Sequence, residues 1–173
     1  MTRIVGIDPG SRVMGYGVVE LQGRKVVYVA SGCVSTSLGT LPERIKEIYV
    51  GVEKIINTYA PTEMAIEKVF VQRNVDSALK LGQARGAAIC AGVMNSLTIH
   101  EYAPNQIKKA VVGKGHAAKA QVQHMIRVLL NLTETPSSDA ADALACAICH
   151  GHTRDSVIHE AALSFRIGRR RIR

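Results

Sequence analysis

The stretch Arg3-Ile4-Val5-Gly6-Ile7-Asp8, followed by Gly15-Tyr16-Gly17-Val18-Val19-Glu20-Leu21-Gln22-Gly23-Arg24-Lys25-Val26-Val27-Tyr28-Val29-Ala30-Ser31-Gly32-Cys33-Val34, decides the architecture. It holds three runs rich in valine, isoleucine and tyrosine, too closely spaced for a helix to intervene. Residues 3–8 read as a buried strand, and 15–21 and 25–34 as two more. Gln22-Gly23-Arg24 reads as a tight hairpin turn. An antiparallel meander is therefore predicted to open the chain.

Beyond it the period changes from two to 3.6. Ile45, Ile48, Val52 and Ile55 share one face of a predicted helix over 41–59, with Pro42 in its first turn and Pro61 past its end. A fourth strand is predicted at 63–68 and a long helix at 76–95, with Asp76 or Ser77 as its N-cap. A short strand at 97–101 and helical segments near 104–111, 117–130 and 139–152 complete the order βββαβαβααα. That order predicts an α/β fold: a mixed five-stranded sheet, its first three strands antiparallel, flanked by helices on both faces. No internal repeat interrupts it. The expected division is a domain over 1–153 and a basic tail over 154–173. The tail carries six arginines against Asp155 and Glu160. It is read as an arm that grips DNA backbone, helical around 155–165, or as a solvated tail that only aids solubility.

Composition narrows the function. The 173 residues carry 22 Lys+Arg against 14 Asp+Glu. No run reaches the roughly 18 apolar residues of a membrane span, and the start lacks a signal-peptide core. A cytoplasmic protein with no membrane partner is the expectation, and reduced cysteines at Cys33, Cys90, Cys146 and Cys149 fit that compartment. A net charge of +8 suits a polyanionic partner, although a generically basic soluble protein is also compatible with it.

Four acids sharpen the reading. Asp8 and Glu67 each end an apolar run, where burial is costly unless the carboxylate is paired or bound to metal. Asp139 and Asp142, three apart, share a face near the start of an alanine-rich helix. Alone, Asp139 could be an N-cap and Asp142 a surface acid. Strand ends and a helix start can gather all four. Clustered carboxylates repel one another and hold hard divalent cations through oxygen. On a basic chain, that set points to metal-dependent cleavage of nucleic acid.

Four blocks in order carry a family resemblance: Gly6-Ile7-Asp8-Pro9-Gly10-Ser11-Arg12 with Gly15-Tyr16-Gly17; Ile66-Glu67-Lys68-Val69-Phe70; Ala78-Leu79-Lys80-Leu81-Gly82-Gln83-Ala84-Arg85-Gly86; and Asp139-Ala140-Ala141-Asp142-Ala143-Leu144-Ala145. From about residue 3 to 152 the chain resembles the RuvC family of bacterial Holliday junction resolvases. The resemblance implies a ribonuclease H-like fold. It also implies a homodimeric crossover junction endodeoxyribonuclease of recombination and DNA repair, making paired symmetric nicks with 5′-phosphate and 3′-OH ends. Asp8, Glu67, Asp139 and Asp142 would be catalytic acids holding Mg2+, two ions per subunit, with Mn2+ as a substitute. The implied partners are four-way junction DNA and a RuvA–RuvB branch-migration helicase.

Further residues carry over. Phe70 resembles the family's base-stacking aromatic, against a core phenylalanine as the alternative. Lys108 and Lys119 resemble cations beside the scissile phosphate, Lys119 with a catalytic role, against ordinary helix lysines. Arg73, Lys80, Arg85, Lys109 and Lys114 are additional phosphate-contact candidates. Gly82 and Gly86 allow close approach in the long helix, either by this chain's sheet or by a second subunit.

Three other signals fail on chemistry. Cys146-Ala147-Ile148-Cys149-His150 has c-type haem spacing but continues a core helix without an export signal. A zinc site from Cys146, Cys149, His150 and His152 would need one helix to aim all four side chains at one ion. Gly113-Lys114-Gly115 lacks the Ser or Thr of a P-loop. Two rival functions remain open: a junction-binding architectural protein without catalysis, and an ATPase-like nucleotide-binding module, which normally needs two copies of the fold.

Overall fold

The computed structural model describes residues 1–23, 25–69 and 74–170, with side chains described through Arg154. The predicted meander is present as β1 (Thr2–Asp8), β2 (Val13–Gln22) and β3 (Lys25–Ser35), paired antiparallel. Arg24, in the predicted hairpin turn, lies outside the described residues. Then follow α1 (Leu41–Tyr59), β4 (Glu63–Glu67), α2 (Val75–Met94), β5 (Thr98–Tyr102), α3 (Pro104–Val112), α4 (Lys119–Leu129) and α5 (Ser138–Arg170). β4 and β5 add in parallel, giving the sheet order β3-β2-β1-β4-β5. This is the mixed five-stranded sheet expected.

Strand alternation sends successive residues to opposite faces and makes two cores. On one face, Val5, Ile7, Val18, Met64 and Ile66 pack under α1 and α2. On the other, Ile4, Val19, Leu21, Ala65 and Tyr102 pack under α3, α4 and α5. Complete burial of aliphatic side chains such as Ile4, Ile7, Ile48 and Ile66 contributes about 1.5–3 kcal/mol apiece before entropy is counted.

α5 lies unusually close to the sheet, and the sequence shows why. Gly6 and Gly17 are paired across β1 and β2, and Gly15 is paired with Asp8. A Cβ on Gly6 would sit 2.0 Å from the Ala143 carbonyl oxygen, one on Gly15 2.0 Å from that of Asp139, and one on Gly17 2.7 Å from the Leu144 nitrogen. These three glycines and the alanines of α5 let backbone rest on backbone. The start of α5 is thereby set beside the end of β1.

Three element ends refine the reading. Asn74, not Asp76 or Ser77, caps α2, its side-chain oxygen accepting from the Ser77 N–H at 3.2 Å. Ser137, not Asp139, stands at the head of α5: its carbonyl accepts from the Ala141 N–H and its hydroxyl oxygen from the Ala140 N–H. Asp139 is thus free of capping duty. α5 also continues past 152 to Arg170.

Candidate active site

Asp8 ends the central strand β1, Glu67 ends its parallel neighbour β4, and Asp139 and Asp142 ride the first turns of α5. Alternation places Asp8 and Glu67 on the α5 face, since Gly6 and Ala65 already lie beneath that helix. Three elements therefore deliver four carboxylates to one end of the sheet.

Their electrostatics report the convergence. Burial raises the Asp8 carboxyl from 3.8 to about 8, with further upward pushes from Glu67, Asp142 and Asp139, against a downward pull from Lys119. Burial and Asp142 raise Glu67, while Lys108, Lys119 and a hydrogen bond with Asp8 oppose the rise. Burial also raises Asp142, opposed by Lys119. Asp8 and Glu67 share a proton-bearing contact in place of two full charges. The all-oxygen donor set, crowded and partly desolvated, fits hard divalent cations such as Mg2+.

Asp8 and Glu67 open onto a cleft of about 1020 Å³ that is lined also by Lys68, Asn74, Ser77 and Lys119. Lys119 is the first residue of α4, and its Nζ stands 3.6 Å from Asp142 Oδ2 with the side chain 73% exposed. Gln121 fixes the approach by accepting from the Ala118 N–H at 3.0 Å. Lys108, on α3, is close enough to act on both Glu67 and Asp142. Lys109 and Lys114 are exposed, and Lys80 is held by Asp76 one turn away.

Arg85 departs from its expected place. Its Nε donates to the Glu67 carbonyl oxygen at 3.0 Å, and its terminal nitrogen pairs with Glu101. With the side chain only 17% exposed, this arginine anchors the end of β4 and is not open to a phosphate. The sequence carried no signal for that anchor, because Glu67, Arg85 and Glu101 belong to three separate elements. Phe70 and Arg73 lie outside the described residues.

Comparison with known proteins agrees with this geometry. Residues 4–150 match the family model for crossover junction endodeoxyribonuclease RuvC. The chain is 60% identical over 158 residues to the protein of that name from Pseudomonas fluorescens, covering 91% of each. It is 58% identical to that from Aeromonas salmonicida, covering 93% of each. The structure of Thermus thermophilus RuvC in complex with Holliday junction substrate superposes with a TM-score of 0.84 at 34% identity, covering 90% of this chain and 96% of that one. The yeast mitochondrial Holliday junction resolvase Ydc2, at 12% identity and a TM-score of 0.64, shares the fold. Sequence, topology and family match agree: this chain belongs to the RuvC family of crossover junction endodeoxyribonucleases.

Proposed function

We propose that this protein resolves four-way DNA junctions by paired, symmetric, metal-dependent nicks that leave 5′-phosphate and 3′-OH ends, serving recombination and DNA repair. The observation that carries the proposal is the arrival of Asp8, Glu67, Asp139 and Asp142 from β1, β4 and α5 at one end of the sheet, near enough for the other three to raise the Asp8 carboxyl, with Asp8 and Glu67 lining an open, lysine-edged cleft. An architectural junction binder has no use for so costly a cluster of acids. An ATPase-like module is disfavoured by the family match over residues 4–150.

The four carboxylates would hold two Mg2+ ions, with Mn2+ as a substitute. When bound, the ions supply positive charge to the attacking and departing oxygens of the phosphodiester. The chain's own work is positioning. Arg85 fixes the Glu67 backbone, and the glycine seat of α5 fixes Asp139 and Asp142 against Asp8. Lys119 places a cation at the cleft, where it would stabilise charge building on the phosphate, with Lys108 behind it. Lys109, Lys114 and Lys80 would contact backbone phosphates. The Lys80–Asp76 pair is an exposed i,i+4 bridge worth only about 0.5 kcal/mol, so exchange of Asp76 for phosphate is cheap. Phe70 would stack on a base, Arg73 would add a phosphate contact, and the basic segment 154–173 would grip DNA beside the domain 1–153.

A homodimer would present two such sites to a symmetric junction. The outer face of α2 is suited to it: Val75, Leu79, Val93 and Met94 are 57–73% exposed. Between them, Gly82 and Gly86 have no neighbour within 4 Å of a built Cβ. Among the described residues the chain's own sheet does not approach these glycines, which supports a second copy as their partner. No helix among the described residues is long and apolar enough to cross a membrane. A cytoplasmic enzyme working with a RuvA–RuvB helicase completes the proposal.

Asp8→Asn tests the assignment. It is expected to abolish Mg2+-dependent cutting while leaving gel-shift affinity for a four-way junction within about twofold, because it removes metal ligation and no basic surface. Loss of binding together with cutting would contradict it.

A further inference from the structure

The face that carries the acids at one end of the sheet carries a different cluster at the other. Glu63 begins β4, His100 sits in β5 and His150 lies on α5. Their ligand atoms all lie within 4.8 Å of one another, and among the described residues this is the only trio of His, Cys, Asp and Glu side chains so arranged. Glu63 is four residues from Glu67, so the two clusters are separated by ~13 Å along the strand.

His150 is held on both ring nitrogens. Its Nδ1 lies 2.7 Å from the Tyr102 oxygen and its Nε2 2.5 Å from Glu63 Oε2. In the metal-free fold the Tyr102 O–H can donate to Nδ1 and the Nε2–H to Glu63, so that a proton fills the space between Nε2 and Oε2. In the other tautomer Nδ1–H donates to the Tyr102 oxygen, and the Nε2 lone pair is open to a cation in that proton's place. His150 is only 3% exposed.

From this geometry we propose that Glu63, His100 and His150 form a second, structural metal site for a borderline divalent ion, Zn2+ foremost. Two imidazoles and one carboxylate suit zinc and not magnesium. An imidazole whose other nitrogen donates to an oxygen is the usual arrangement of a ligating histidine. Arg154 Nε holds Glu63 Oε1 at 3.2 Å, which leaves Oε2 for the ion. His100 is stacked on His150 with centroids 4.1 Å apart, and it is the more exposed ring. To reach the ~3.4 Å ligand separation that tetrahedral zinc bond lengths require, His150 Nε2 and Glu63 Oε2 would part from 2.5 Å and the His100 nitrogen would turn toward them from within 4.8 Å. A small cavity lined by Thr98, Tyr102 and Thr153 leaves room for a water as fourth ligand. The ion would tie β4, β5 and α5 together without touching the acids.

The test uses the full chain carrying Asp8→Asn and Asp142→Asn, which disables the acidic cluster, stripped with chelator and dialysed against ZnCl2. One retained Zn2+ per chain is expected, with Co2+ giving the visible absorption of a tetrahedral centre. His100→Ala and Glu63→Gln should each weaken retention by ~100-fold or more, beyond the range seen for loss of a supporting group. Circular dichroism would confirm that both variants are folded. Failure of the parent to retain Zn2+, or equal retention by both variants, would overturn the site. So would a protonated His150 ring at pH 7.5 that Zn2+ does not displace.

Discussion

Removing the Asp8 charge should stabilise the metal-free protein. The Asp8 carboxyl keeps its proton up to about pH 8 in the fold, against 3.8 as its ordinary value. Between those limits the native state holds a proton that the unfolded chain has released. The contribution of Asp8 to stability therefore falls as pH rises through that window and is flat above it. At ~1.4 kcal/mol per pH unit, the full displacement corresponds to at most ~6 kcal/mol. Water reaching the open cleft reduces this, and about 2–3 kcal/mol is a reasonable expectation. Asn in place of Asp8 escapes that cost and can still donate to Glu67. In EDTA at pH 8.5, Asp8→Asn should raise Tm by about 6–8 °C for a chain of this size. The gap should nearly close at pH 4 and should narrow when Mg2+ is added to the wild type. An unchanged or lower Tm at pH 8.5 would refute the reasoning, because it would mean that neither burial nor the neighbouring carboxylates disfavour the Asp8 charge.

Other perturbations probe the supports of the site. Gly15→Ala pushes a Cβ to 2.0 Å from the Asp139 carbonyl oxygen, and urea melts should show a loss of about 3 kcal/mol together with loss of cutting. Lys119→Met should slow cleavage by ~10²-fold in single-turnover assays while leaving the salt dependence of junction binding nearly unchanged. Arg85→Met frees the Glu67 carbonyl, so urea melts should show a cost of about 1–2 kcal/mol and single-turnover assays a slower cut at unaltered DNA affinity. Leu79→Glu with Val93→Glu should yield monomers in sedimentation and uncouple the two nicks.

The sequence displayed some of this structure openly and hid the rest for physical reasons. The bounds of α1 were legible because its ends are written locally: Pro42 enters, Glu43 accepts from the Thr40 N–H at 2.6 Å, and Pro61 follows Ala60 in left-handed backbone. The start of α2 was misplaced because Asn74, Asp76 and Ser77 can all cap, and geometry alone selects Asn74. The end of α5 was placed near 152, with a further helical stretch read around 155–165. Gly151 is helical and buried against Leu21, a contact that local sequence cannot show. The gathering of the four acids at one end of the sheet was legible because Asp8 and Glu67 end strands and Asp139 and Asp142 lie in the opening turns of a helix. Arg85 and the Glu63–His100–His150 cluster were not, because strand register pairs those residues across long separations. The weighed and rejected zinc set took His150 with its neighbours in sequence, whereas its partners in space come from β4 and β5.

The most direct measurement is to incubate the protein with Mg2+ and a labelled four-way junction beside a linear duplex of the same sequence, and to map the products. Paired nicks at symmetric positions in the junction alone, with ligatable ends, are expected. Equal cutting of both substrates, or tight junction binding without any nick, would contradict the account.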